Sequence, residues 1–227
     1  MLLVGPTGSG KSSTLAALIE HINETRACHV VTIEDPVEFR YEPRRSMIHQ
    51  REVGADVESF ADGLRAALRE GPDVILLGEM RDPETIAAAL TAAETGHLVL
   101  STLHAGHAAM AVDRILDAFP PHRQAQVRWQ LAGVLRAIVT QVLVPASKSD
   151  GWVPAVEKML VTPAVAANIR EGRGHQIASQ IQTGRDEGML SLELSLAGLV
   201  GRGVVTSDAA IRPARNPDLL RRLLLDS

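Results

Sequence analysis

Gly5-Pro6-Thr7-Gly8-Ser9-Gly10-Lys11-Ser12 fits the pattern Gly-x-x-x-x-Gly-Lys-Ser with every fixed position filled. The chemistry this spacing allows is capture of a phosphate chain. Glycines let the backbone turn its N–H groups inward around an anion. A helix beginning there adds unpaired N–H groups and the positive end of its dipole. Lys11 is placed to reach β- and γ-phosphates, and the Ser12 hydroxyl to ligate Mg²⁺. The expected nucleotide-binding residues are therefore Gly5, Pro6, Thr7, Gly8, Ser9, Gly10, Lys11, Ser12 and Ser13. The plain alternative is a glycine-rich turn that holds nothing; the complete motif weighs against it.

Carboxylates follow apolar runs at two further places. Glu34-Asp35-Pro36-Val37-Glu38-Phe39 comes after His29-Val30-Val31-Thr32-Ile33. Spacing alone does not choose among Glu34, Asp35 and Glu38. Glu79-Met80-Arg81-Asp82 comes after Asp73-Val74-Ile75-Leu76-Leu77-Gly78. An acid at the end of a hydrophobic strand can order Mg²⁺ and an attacking water. The usual Asp directly after the apolar run is absent, so Glu79, one place further on, would have to act, directly or through a water. His97 and His104 bracket the apolar run of residues 98–103. Beside two acidic strand ends, His104 at the carboxyl end is the better placed to sense phosphate. The other histidines named here, His21, His49, His107, His122 and His175, read as surface or packing residues.

The elements that must carry these groups are legible. Met1-Leu2-Leu3-Val4 reads as the end of a buried strand, and Leu15, Leu18, Ile19 and Ile22 recur at helical spacing after the loop. The runs ending at Glu34 and Glu79 read as buried strands. In open α/β sheets ligands bind at the carboxyl ends of strands. Residues 46–50 read as a short strand, with Arg51-Glu52 as a polar turn. Phe60, Leu64, Ala67 and Leu68 mark a helix ending at Gly71-Pro72. Asp82-Pro83 opens another as N-cap and first residue. Pro120-Pro121 separates two helices, the second with an apolar stripe of Val127, Leu131, Leu135 and Ile138. Residues 138–144 turn β-rich, and 152–161 read as an antiparallel partner strand. Short helices are expected at 163–171, 175–182, 191–200 and from Asn216-Pro217 onward.

Composition narrows the class. The chain has 227 residues, net charge −4 and 3% aromatic side chains. Neither charge nor stacking platforms suit a nucleic-acid partner. The single cysteine, Cys28, excludes an internal disulfide and a four-cysteine zinc site. No apolar run reaches bilayer-spanning length. The first residues have neither the basic start nor the length of a signal peptide. The expectation is a cytoplasmic α/β protein.

Four stretches in order, Gly5–Ser12, Thr32-Ile-Glu-Asp-Pro-Val-Glu-Phe39, Gly78-Glu-Met-Arg-Asp82 and Thr95-Gly-His-Leu-Val-Leu-Ser-Thr-Leu-His104, resemble the Walker A, Asp box, Walker B and His box of the type II/type IV secretion ATPases. The likeness covers nearly the whole chain and is greatest with the pilus-retraction, or twitching-motility, ATPases. Ile181-Gln-Thr-Gly184 and Gly188-Met189 resemble that subgroup too. The resemblance implies a RecA-like P-loop NTPase core over residues 1–161 with a C-terminal helical subdomain over 162–227. It also implies ATP with Mg²⁺, a hexameric homo-oligomeric ring and an inner-membrane pilus platform protein as partner. The place would be the cytoplasmic face of the membrane, without insertion into it. By the same resemblance Glu38 is the catalytic base. Glu79 is the Walker B glutamate and a metal residue with Ser12, and His97 and His104 are the His-box histidines.

Two departures carry expectations. Extension and secretion motors usually have a four-cysteine zinc motif after the core. Here residues 144–152 hold no cysteine, which favours retraction. The family also has a PAS-like domain ahead of the P-loop strand, with trans-acting arginines. This sequence shows no counterpart, so low turnover and poor ring formation are expected of it alone. A nucleotide-binding regulatory subunit, a type II secretion or extension ATPase, a P-loop small-molecule kinase and a DNA-dependent RecA-like ATPase are the competing readings.

Overall fold

The computed structural model describes residues 1–225; the last two residues of the expected 162–227 subdomain lie outside the described residues. The chain runs β1 (Leu2–Val4), α1 (Lys11–Thr25), β2 (His29–Glu34), β3 (Met47–Glu52), α2 (Phe60–Ala67), β4 (Val74–Leu77), α3 (Pro83–Glu94), β5 (Leu98–Leu103), α4 (Ala108–Asp117) and α5 (Pro121–Val134). It continues with β6 (Ala137–Pro145), β7 (Trp152–Leu160), α6 (Pro163–Arg170), α7 (Ile177–Thr183), α8 (Leu192–Gly201), α9 (Ser207–Ile211) and α10 (Pro217–Leu225).

The strands form one sheet in the order β3-β2-β4-β5-β1-β6-β7. Every pairing is parallel except β6 with β7. Parallel strands are buried on both faces, which is why they read as continuous apolar runs. The period of two then divides each strand between two cores. Leu3, Val30, Val74, Leu76 and Leu100 pack with Leu15, Ile19 and Ile22 of α1 on one face. Leu2, Val4, Val31, Ile33, Ile75, Leu77 and Leu103 face α2 to α5 on the other. Among the described residues a single helix covers the first face, and several share the second.

The tail helices divide between cores. Val165, Ile169, Ile177 and Ile181 of α6 and α7 join the large core. Leu192, Leu196, Leu199, Ala210 and Leu220 of α8 to α10 form another, with Val144 and Ala155 of the β6–β7 hairpin.

Two local expectations are corrected, and one short helix is added to them. Ile138 is not part of the α5 stripe: the helix stops at Val134, Leu135 is extended, and Ile138 pairs with Leu2 in β6. Its β-branched neighbourhood and the open edge of β1 win over helical spacing. Arg51-Glu52 is not a turn but the end of β3, paired with Ile33 and Glu34. An edge strand has one side toward solvent and tolerates polar residues. The short helix α9 has no counterpart among the sequence expectations; at five residues it is too brief for a periodic signal.

Candidate functional site

Parallel order brings the carboxyl ends of β1, β2, β4 and β5 to one edge of the sheet. The turn after β1 enters α1 through Gly5, Gly8 and Gly10, with φ of +154°, +75° and +82°. Two of these glycines also answer to close approach. A Cβ on Gly5 would lie 2.4 Å from the Gln141 carbonyl oxygen, and one on Gly10 would lie 2.9 Å from Gln141 Nε2. No side chain caps α1, and no acid stands in its first turn. Its N-terminal N–H groups and positive dipole end are thus left for an anion. Lys11 is buried, and its Nζ donates to the carbonyls of Gly5 and Pro6, both at 3.0 Å. Burial lowers its pKa, and the nearby Glu79 carboxylate opposes that shift.

Gln141 is the residue that spacing did not reveal. It sits in the middle of β6, 3% exposed. Its Nε2 donates to the Ser9 carbonyl at 2.7 Å, and its Oε1 accepts from Thr14 Oγ1 at 2.8 Å. One amide thus holds both the loop and the first turn of α1. The available signal was the polar pair Thr140-Gln141 inside an otherwise apolar strand.

The acids after β2 separate by environment. Glu34 is 9% exposed, and its Oε1 accepts from Thr32 Oγ1 at 2.6 Å and Gln50 Nε2 at 3.3 Å. It is committed to the sheet. Glu38 stands further out and accepts from the Ser12 hydroxyl at 3.0 Å. Its loop hangs from β3: Val37 N–H donates to Glu52, the Tyr41 N–H to Gln50 Oε1, and Gln50 Nε2 to the Phe39 carbonyl. These bonds explain why the edge strand ends in polar residues.

Glu79 follows β4, with its side chain 16% exposed. Its Oε2 accepts from Arg81 Nε at 2.7 Å, and His104 Nε2 lies 3.4 Å from Oε1. The Thr102 hydroxyl on β5 donates to the Gly78 carbonyl at 2.7 Å, tying the exits of β4 and β5 together. Residues 7–13, Glu34, Asp35, Glu38, Glu79, Arg81 and His104 line one cleft of about 480 Å³. That volume is within the range of small-molecule sites.

His97 is not brought there. It precedes β5, so the strand's length, roughly 20 Å at 3.3 Å per residue, separates it from His104. Its Nδ1 donates to the Ala92 carbonyl at 2.9 Å, beside the Thr95 hydroxyl at 3.0 Å. It closes the carboxyl end of α3.

The loop after His104 is fastened from the tail. Glu157 on β7 accepts from the Ala108 N–H and from Thr140 Oγ1, both at 3.1 Å, and pairs with Arg215. Arg215 also donates to the Gly106 carbonyl at 3.2 Å. His107 caps α4, its Nδ1 accepting from the Met110 N–H at 3.1 Å. Burial first, and the Arg215 charge second, lower its pKa against the opposing charges of Glu157 and Asp113.

The residues present fit a nucleotide triphosphate with its metal. Glycines open the loop, the Ser9 hydroxyl is buried with no hydrogen-bond partner among the described residues, and Lys11, the Ser12 hydroxyl and the Glu38 and Glu79 carboxylates converge.

A family model described as type II/IV secretion system protein matches residues 1–192. A "Twitching motility protein" of Neisseria gonorrhoeae is 50% identical over 96% of this chain and 58% of its own length. The "Type IV pilus retractation ATPase PilT" of Pseudomonas aeruginosa is 48% identical over 96% of this chain and 63% of its own. The crystal structure of a pilus retraction motor PilT with bound ADP superposes with a TM-score of 0.88 at 45% identity, covering 97% of this chain and 63% of that one. The chain thus spans about three-fifths of the length of these relatives.

Proposed function

The chain belongs to the type II/IV secretion system protein family, and from that premise we propose that it is the ATP-hydrolysing part of a type IV pilus-retraction motor. The observation that carries the reading is the meeting of Lys11, Ser12, Glu38 and Glu79 in one cleft at the carboxyl edge of the sheet. The similarity to proteins named for twitching motility and pilus retraction supports the choice of motor.

In this reading the P-loop N–H groups and Lys11 hold the β- and γ-phosphates. Ser12 and Glu79 would hold Mg²⁺. Bound Mg²⁺ supplies charge that offsets the phosphate oxygens. Glu38, held 3.0 Å from the Ser12 hydroxyl, accepts a proton from water as general base. His104 orients Glu79 from 3.4 Å. His97 acts on the end of α3 and not at the phosphate.

The same proposal includes a core over 1–161 and a helical subdomain over 162–227. It places the chain in a hexameric homo-oligomer against an inner-membrane platform protein at the cytoplasmic face, without nucleic acid. No helix among the described residues is long and apolar enough to cross a membrane.

Phosphate release from Mg·ATP, with and without DNA, tests the reading alongside Lys11→Ala. Turnover independent of DNA, and ATP affinity lost in the folded variant, are expected. Unchanged ATP affinity in Lys11→Ala would overturn the P-loop assignment. Strong stimulation by DNA would replace the pilus motor with a nucleic-acid-dependent one.

A further inference from the structure

At the opposite end of β2 from the phosphate cleft, two imidazoles touch. His29 Nε2 and His49 Nδ1 are 3.1 Å apart, and the rings meet edge to face with centroids 5.1 Å apart. The register explains the meeting. His29 pairs with Met47 and Val31 with His49. Both imidazoles therefore leave the same face of the sheet, about one pleat apart on adjacent strands. The turn of 3-10 helix after α2, Leu68–Glu70, brings Glu70 to that face. One ligating atom from each of His29, His49 and Glu70 lies within 4.8 Å of the others.

We propose that His29, His49 and Glu70 bind a first-row divalent transition ion of the Zn²⁺ type, distinct from the Mg²⁺ of the phosphate cleft. Imidazole nitrogen favours zinc and its neighbours, whereas Mg²⁺ takes oxygen ligands. Two nitrogens bound to one zinc at about 2.0–2.1 Å stand roughly 3.3 Å apart at a tetrahedral angle. The observed 3.1 Å is close to that bite. The contact between the rings uses one shared proton, and an ion bridging both nitrogens would take its place.

The surroundings hold the ligands. The His29 N–H donates to Asp73 Oδ2 at 2.8 Å, which anchors the start of β2. Arg51 pairs with Glu70 Oε1, a charge-assisted bond of the kind that orients a ligating carboxylate. Three protein ligands leave a fourth position for water. The ion would tie the edge strand β3 to β2 and to the end of α2. That strand also carries Gln50 and Glu52, from which the Glu38 loop hangs.

The test is Zn²⁺ binding by the full chain, read by competition with a chromophoric chelator in excess Mg²⁺, with Co²⁺ as the spectroscopic probe. One Zn²⁺ per chain and a four-coordinate Co²⁺ absorption band are expected. His49 is exposed, so His49→Ala should fold; circular dichroism checks this. Its Zn²⁺ affinity should fall by more than the roughly 10–100-fold that loss of an outer-shell partner costs. His29→Ala should behave alike, and Glu70→Gln should weaken binding and alter the Co²⁺ band. His122→Ala, at an exposed histidine elsewhere, should change nothing. Absence of Zn²⁺ binding by the wild-type chain, or wild-type affinity in folded His49→Ala, overturns the proposal. Neither result bears on nucleotide binding, which Lys11→Ala tests separately.

Discussion

Gln141 Nε2 donates to the Ser9 carbonyl oxygen at 2.7 Å, so a side chain of β6 holds the P-loop from beneath. The two residues are 132 positions apart. The bond exists because β6 lies beside β1 in the sheet.

Gln141→Leu keeps the volume and removes both bonds. The buried Ser9 carbonyl and the half-buried Thr14 hydroxyl then lose their partner, at a cost of about 1–3 kcal/mol. A lower unfolding midpoint and several-fold weaker nucleotide binding are expected together. In a double-mutant cycle with Thr14→Ala, the coupling should fall in the roughly 0.5–3 kcal/mol range of contacting residues. Additive effects would show that Gln141 does not act through this bond.

Glu38 and Glu79 should fail differently. Glu38→Gln keeps the hydrogen bond to Ser12 but cannot take a proton. Mg·ATP binding should persist while turnover falls by roughly 10²–10⁴-fold. Glu79→Gln should lose turnover and also shift the Mg²⁺ titration. Wild-type turnover in the Glu38 variant would refute the base; an unmoved Mg²⁺ curve in the Glu79 variant would refute its metal role.

His97 and His104 should divide between stability and turnover. His97→Ala removes the hydrogen bond to Ala92 and should lower stability by about 0.5–1.5 kcal/mol, with the smaller effect on turnover. His104→Ala removes the contact with Glu79 and should lower turnover at nearly unchanged stability. Measured unfolding midpoints and phosphate release in the reverse ranking would contradict the positions of both residues.

Asp82 gives a pH dependence of known sign. Burial works to raise its pKa, but hydrogen bonds from the Thr85 N–H and hydroxyl and from Glu84 outweigh it, and the carboxyl stays below its ordinary 3.8. A depressed folded-state pKa means stability that is complete above the unfolded value and lost as pH falls through the folded one. Asp82→Asn retains the cap without the charge. Wild type should therefore lose more stability than Asp82→Asn between about pH 5 and about pH 3. Parallel denaturation curves across that window would show that the capping charge contributes nothing.

Much of the fold was legible. Apolar runs marked β1, β2, β4 and β5, and their ends marked the acids and His104. Asp82-Pro83 announced α3, which starts there. These signals are local: burial on both faces needs a continuous apolar run, and a helix start needs a cap. At the boundary between α5 and β6, Leu135 and Ile138 suit a helical stripe as well as a strand. Only pairing with β1 decides between them.

The candidate site was legible in part. The sequence by itself determined which chemical groups are present and at which strand ends they stand. It placed a phosphate-type loop at Gly5–Ser12 because that motif is contiguous and its chemistry is mostly backbone. The tertiary structure decided which groups meet. It tied Glu34 to Thr32 and Gln50 and set Glu38 against Ser12, sent His97 away from His104, put Gln141 under Ser9, and brought His29 to His49. Each of these depends on strand order and register, which hydrophobic burial over the whole chain selects. A side chain's position along one element does not contain the identity of the neighbour across the sheet.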